Sequence, residues 1–139
     1  MDKHDLLDER WCFEFDNAKR RLGCCKFRNK TISFSKHYLP VIKHEEMVNT
    51  ILHEIAHALV GPRHGHDNVW KRKAIEIGCD GKRLYKGEAK TKPNYVATCW
   101  NCGKVFHRYR MRTDSRLSCG ICTPNRFDAK YLLTFKLVK

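Results

Sequence analysis

The sequence predicts an α+β chain: a short antiparallel sheet packed on two helices, followed by a small module organised by four cysteines. Three observations carry this reading. Aromatic and β-branched residues alternate with polar ones through residues 11–35, the period of half-buried strands. Apolar residues then recur at helical spacing from Lys43 to Val60, and again after Asp67 as far as Ile77. Lastly, Cys99-x₂-Cys102 and Cys119-x₂-Cys122 are two paired-cysteine knuckles with sixteen residues between them. The expected boundaries are residues 1–80 for the sheet-and-helix domain, 81–94 for a basic linker and 95–139 for the cysteine module.

Taken in order, residues 1–10 are polar and acidic apart from Leu6 and Leu7, and promise at most a helical turn. Trp11, Phe13 and Phe15 share one strand face, as do Ile32 and Phe34. Gly23 and Arg28-Asn29-Lys30 supply turn chemistry, and Cys12, Cys24 and Cys25 read as small packing residues. In the first helix Glu45 and Glu46 sit in the opening turn, where negative charge suits the dipole. Met47, Val48, Ile51, Leu52, Ile55 and Leu59 make its apolar stripe, whereas Asn49, His53 and His57 fall on another face. Gly61-Pro62 ends it, because glycine suits the cap and proline cannot continue the ladder. Asp67 or a neighbour caps the second helix, whose apolar side is Val69, Trp70, Ala74 and Ile77, with Gly78 just past its end. From Cys79 to Asn94 little is apolar enough to bury, hence the linker. Residues 131–138 read as a closing strand.

The formal net charge of +13 is unevenly spread. Residues 1–70 carry 11 Lys and Arg against 10 Asp and Glu, and residues 71–139 carry 17 against 5. Cations segregated in this way suit a polyanion such as nucleic acid, whose counterions they displace. No apolar run is long enough for a membrane span, and the first residues lack a signal peptide's apolar core. The expected setting is intracellular, in the cytoplasm or a eukaryotic nucleus, with no membrane partner. There the eight cysteines serve as thiols and metal ligands rather than disulfides.

Two constellations carry chemistry. His53-Glu54-Ile55-Ala56-His57 is an H-E-x-x-H run, and residues four apart on a helix present both imidazoles to one metal ion. Glu54 is then placed as general base rather than ligand. A catalytic zinc keeps three protein ligands, so a third must come from the following loop, with His64 and His66 as candidates. The metzincin spacing fails, because the required glycine and histidine positions hold Val60 and Arg63. His66, just before the second helix, is favoured over His64. Arg63 or the loop backbone is available to assist at the substrate carbonyl.

The second constellation, Cys99, Cys102, Cys119 and Cys122, fills all four positions of a zinc site and is expected to be structural. Between its knuckles lie Lys104, Phe106, Arg108, Tyr109, Arg110, Arg112 and Arg116, basic and aromatic residues interleaved. That pattern suits single-stranded or distorted DNA, through backbone neutralisation and base stacking.

With these residues assembled, the chain resembles the SprT family of metallopeptidases, which includes Spartan-type DNA–protein crosslink proteases. The resemblance runs from about Trp11 to Val138. It rests on Trp11-x-Phe13-x-Phe15-Asp16-x-Ala18, Ile32-Ser33-Phe34-Ser35, Thr50-Ile51-Leu52-His53-Glu54-Ile55-Ala56-His57, Gly65-His66-Asp67-x-x-Trp70 and Tyr95-Val96-Ala97-Thr98-Cys99-x-x-Cys102. It implies a small zincin-like domain followed by a zinc ribbon. It further implies that His53, His57 and His66 bind a catalytic zinc, that Glu54 is the base, and that the substrate is protein held on DNA. Family members usually carry a longer helix before the tryptophan-containing strand, for which residues 1–10 are too short. The competing reading is a DNA-binding zinc-ribbon module with an inactive H-E-x-x-H site. Glu54 beside three histidines separates the two, because a purely structural site has no need of that carboxylate.

Overall fold

All five residues of Thr31–Ser35 are buried, and the first sheet is built around them. In this computed structural model, which describes residues 4–7, 9–112 and 114–138, they form strand β3. The strands β1 (Cys12–Asp16) and β2 (Gly23–Lys26) flank it in the order β1-β3-β2. The chain divides into two compact units, residues 1–91 and 92–139, and this sheet belongs to the first.

The expectation of an antiparallel sheet is corrected at one edge. β2 runs antiparallel to β3, but β1 runs parallel to it, with Phe13 beside Ile32 and Phe15 beside Phe34. Alternation reports which residues share a face and is silent on strand direction. Direction follows here from the crossing at residues 17–22, which carries the chain past β3 before it returns as β2. Asp16 ties that crossing down. Its carboxylate accepts hydrogen bonds from the Ala18 amide (2.9 Å), the Ser33 hydroxyl (2.8 Å) and Arg21 (2.7 Å). Gly23, expected in a turn, is instead the first residue of β2.

Helix α1 (His44–Val60) follows. At its start the Lys43 amide donates to the Glu46 carboxylate at 3.4 Å, and at its end Gly61 (φ 88°) donates back to the His57 carbonyl at 3.0 Å. Helix α2 (Asn68–Glu76) is capped by Asp67, whose side chain accepts the Trp70 amide at 3.0 Å. α1 packs on β2, β3 and α2, and does not reach β1. This separates the three aromatics predicted to share a face. Trp11 is buried, edge-on to Phe27 and beside Leu6, Ile32 and Ile55. Phe13 and Phe15 lie beyond the helix, pack on each other at 5.2 Å and stay 38% and 56% exposed. Of the turn expected in residues 1–10, residues 4–7 form one and bury Leu6, while 1–3 and 8 lie outside the described residues. Cys25 packs against the same cluster and Cys24 is half-buried, whereas Cys12 is exposed. Val48, assigned to the stripe of α1, is also exposed.

Residues 80–91, expected as linker, are held against the first unit. The Asp80 amide donates to the Asn49 side chain at 2.8 Å, the Tyr85 hydroxyl to Glu46 at 3.0 Å, and the Thr91 hydroxyl to the Lys19 carbonyl at 2.7 Å. Ala89 packs on the cluster of Leu22, Phe34 and Tyr38. Low hydrophobicity correctly signals exposure here, but these attachments are polar and leave no apolar periodicity to read.

In the second unit, β4 (Tyr95–Thr98), β5 (Val105–Arg108) and β6 (Lys136–Leu137) form an antiparallel sheet ordered β5-β4-β6 over Ala97, Cys99, Cys119 and Leu133. The closing strand expected over 131–138 is largely something else: a 3₁₀ turn at Ala129–Tyr131, a single bridge from Leu132 to Ser118, and then the two residues of β6. No helix among the described residues is long and apolar enough to cross a membrane.

The contrast between strand centre and strand edge is measurable. Phe34→Ala should cost about 3–5 kcal/mol in denaturant unfolding, as expected for a fully buried aromatic. Phe15→Ala should cost less than about 1 kcal/mol, since it removes an exposed ring.

Candidate metal centres and catalytic groove

The positions four apart on α1 put His53 and His57 on one face, and the turn after the helix returns His66 to them. The Nε2 atom of His66 lies 2.9 Å from that of His53 and 3.1 Å from that of His57. His64 turns away, its Nδ1 lying 2.7 Å from the Asp67 carboxylate. Of the two loop histidines it is therefore His66 whose ring joins the pair on the helix. The buried Trp70 backs all three rings, with centroids 4.6–5.2 Å away.

The backbone carbonyls of Lys82 and His64 favour a proton on His53 and His57 respectively, against the larger effect of burial. A neutral imidazole keeps one unprotonated nitrogen, so each ring can offer a lone pair where the Nε2 atoms meet. Burial and the neighbouring imidazoles keep His53 neutral, its pKa pulled down to about 4, and burial first of all does the same to His57. His66 can donate to at most one of the other two rings. Three converging nitrogens with too few protons among them are an unsatisfied arrangement as hydrogen bonds and a natural donor set for a cation. Nitrogens each about 2.0–2.1 Å from a tetrahedral ion stand a little over 3 Å apart, close to the spacings seen.

Glu54 faces the other way, toward β2. Burial lifts its carboxyl to a pKa of about 7, against the opposing pull of the Cys25 amide and the charge of Arg21. Gly23 makes this approach possible. A Cβ there would lie 3.0 Å from Glu54 Cγ, 3.2 Å from its Oε1 and 3.2 Å from the Thr50 methyl. The strand can lie against the carboxylate only because position 23 has no side chain. His53 and Glu54 both open into a groove of about 660 Å³. One wall is α1 from Glu45 to Glu54, another is residues 20–23, and the third is the strap at 80–87.

The sequence pattern shows Glu54 and the histidines but not the parts that hold them. Gly23, Asn49 and the strap were all missed in those roles. The available signal was an apolar pair, Leu84-Tyr85, set between glycines in an otherwise basic run, which a plain linker has no reason to carry.

In the second unit the four knuckle cysteines converge, with Cys99 Sγ 3.8 Å from Cys122 Sγ and Cys102 Sγ 3.6 Å from Cys119 Sγ. Among the described residues these four and the three histidines are the two groups able to hold a metal ion. Although burial opposes it, the amides of Cys122 and Ile121 bring the Cys119 thiol down to about 7, while its sulfur neighbours push Cys122 up to about 12, so one proton is shed from the cluster most readily at Cys119. The first knuckle turns at Gly103, which has φ 70°. Of the residues assigned to DNA, Lys104, Arg108, Arg110, Arg112 and Arg116 are exposed and Tyr109 is half-buried. Phe106 is also half-buried, with part of its ring packed against the cluster of Ala97, Cys99, Cys119 and Leu133. Trp100 presents the open aromatic face instead. It is 65% exposed, stacked on Tyr131 at 6.0 Å and fixed by its indole N–H to the Lys130 carbonyl at 3.0 Å.

The strap's attachment to the helix has a direct readout. Asn49→Ala removes the acceptor of the Asp80 amide, a loss of about 1 kcal/mol. Hydrogen exchange at Asp80 should accelerate by about five- to tenfold, while amides in the middle of α1 exchange as before.

Among known proteins, a model of the SprT-like family matches residues 3–92. No curated protein matches the chain. The matched segment spans the first compact unit and contains every residue that lines the groove. With its metallopeptidase-like domain and the separate four-cysteine cluster that follows, the chain belongs to the SprT-like family.

Proposed function

We propose that the protein is a zinc-dependent endopeptidase of SprT type that cleaves protein bound or crosslinked to DNA. The observation that carries this is the placement of a half-buried carboxylate, Glu54, in the lining of a groove beside three histidines whose ring nitrogens converge. His53, His57 and His66 would hold the catalytic zinc, and Cys99, Cys102, Cys119 and Cys122 a structural one. Nitrogen and thiolate donors in threes and fours are the sets that zinc takes, with a catalytic site keeping one position open. When bound, the catalytic zinc supplies Lewis acidity to a carbonyl and lowers the pKa of water toward neutrality.

Glu54 accepts a proton from the attacking water as the new C–O bond forms. It returns that proton to the departing nitrogen as the C–N bond breaks, leaving a carboxylic acid and an amine. A carboxyl poised at about 7 serves both halves of this exchange, being basic enough to take the proton and acidic enough to give it up. The absence of a side chain at Gly23 lets the strand lie against this carboxylate.

The second unit supplies affinity for DNA in this reading. Residues 92–139 hold ten Lys and Arg against two Asp. Lys104, Arg108, Arg110, Arg112 and Arg116 neutralise phosphates, while Trp100, and Tyr109 where it is accessible, offer aromatic faces to unpaired bases. Such interactions follow the backbone without reading sequence, which suits a protease that must act wherever a protein is held on DNA.

Two measurements test this. Metal-loaded protein incubated with single-stranded DNA and a DNA-bound basic protein should produce fragments at least about 10²-fold faster than Glu54→Gln. Equal fragment patterns from the two would leave only a DNA-binding module. In titrations against single-stranded DNA, replacing Arg108, Arg110 and Arg112 together with alanine should weaken binding. The same change should flatten the slope of log K against log salt by about 0.7 for each phosphate that is no longer neutralised.

A further inference from the structure

The strap at residues 80–87 does more than close the groove. Its first residues are fixed to α1 through the Asp80 amide on Asn49, and the Lys82 amide bonds to the Asp80 side chain at 2.9 Å. Gly81, at φ 67°, lies against Ile75 of α2, where a Cβ would come within 3.1 Å of its side chain. Further along, Tyr85 is held by Glu46, and its hydroxyl also accepts the Ala89 amide at 3.3 Å. Arg83 sits between these anchors and lines the groove together with His53 and Glu54.

Five cations line the groove, and most are committed elsewhere or lie away from the reacting end. Arg21 is ion-paired to Asp16 at 2.7 Å, and Lys82 to Asp80 at 3.7 Å. Arg83 makes no hydrogen bond or ion pair with the described residues, and it follows closely on the Asp80 amide that is fixed to Asn49, one turn of α1 before His53. Lys86 instead follows Tyr85, which is fixed to Glu46 two turns before His53, and Arg20 adjoins Lys19, whose carbonyl accepts from Tyr38 and Thr91. Arg63, the cation that the sequence places nearest, does not line the groove.

We propose that Arg83 is a further catalytic residue, whose guanidinium donates to the carbonyl oxygen of the scissile peptide bond and stabilises the negative charge that builds there. This rests on the peptidase reading above. Arginine fits the task because it stays charged at every working pH and offers N–H donors in a rigid plane. A donor waiting in place at a developing oxyanion acts mainly on the transition state, and losing one such donor costs roughly 10²–10³-fold in kcat.

The test compares wild type, Arg83→Ala, Arg83→Lys, Arg63→Ala and Glu54→Gln on the peptide that wild type cleaves fastest. Each variant is also titrated with the phosphinic analogue of that peptide, a stable mimic of the tetrahedral oxyanion. Metal content and unfolding temperature are measured alongside. Arg83→Ala should lower kcat by about 10²-fold with KM within about threefold, and should weaken the phosphinate by a similar factor. Arg83→Lys should recover part of both losses, and Arg63→Ala should stay within about twofold of wild type. The assignment is overturned if Arg83→Ala keeps kcat within twofold, if only KM rises, or if the phosphinate binds as before. If Arg83→Ala does not fold, Arg83→Lys decides: kcat and phosphinate affinity both equal to wild type overturn the assignment. Wild type cleaving no faster than Glu54→Gln overturns the peptidase reading itself, and Arg83's role with it.

Discussion

The first candidate site depends on the convergence of three imidazoles, with Nε2 of His66 2.9 Å from that of His53 and 3.1 Å from that of His57. Burial above all keeps His53 and His57 neutral, so each has a lone pair to offer there. The elements around the site serve to place those three rings. The turn from Gly61 to Asp67 brings His64 and His66 back over the end of α1. The strap, pinned through Asn49, brings Lys82 to the other side of the cluster. Trp70 is buried against all three rings, with centroids 4.6–5.2 Å away. The site is thus a property of the first helix, the turn and the tryptophan of the second helix jointly.

Glu54 is managed by different physics. Burial alone would make it a neutral and passive carboxyl, but the Cys25 amide and the Arg21 charge pull against burial and hold it near neutrality. The strand supplying that amide comes close enough only because Gly23 lacks a Cβ. β2 in turn is delivered there by the crossing that Asp16 ties down, so a hydrogen-bond network remote from the histidines sets the environment of the base.

What the sequence makes legible divides along physical lines. Period and punctuation are local, so α1, the Asp67 cap, the Gly61 stop and the pairing of the cysteine knuckles could all be read from residue order. His66 could be ranked above His64 because a helix start fixes where its preceding loop must run. Strand direction could not be read, since the alternation of Phe13 and Phe15 is the same whether β1 runs with β3 or against it. Nor could the strap. It is held by single polar bonds from Asp80, Tyr85 and Thr91 to residues thirty or more positions away, and such bonds impose no period. The packing of Phe106 was not legible for a related reason: the run around it in sequence is basic and exposed, but its neighbours in space include the knuckle cysteines.

The chain therefore joins a groove with a poised carboxyl group to a small basic unit built on four cysteines, and in the proposed function the two divide cutting from locating. That account depends on the histidine cluster being a second metal centre, chemically distinct from the cysteine one. Cadmium-113 NMR of protein loaded with that ion tests it most directly. Two resonances are expected, one in the all-thiolate range and one in the nitrogen and oxygen range, the latter alone disappearing in His66→Ala. A single thiolate resonance at saturating cadmium would contradict the account.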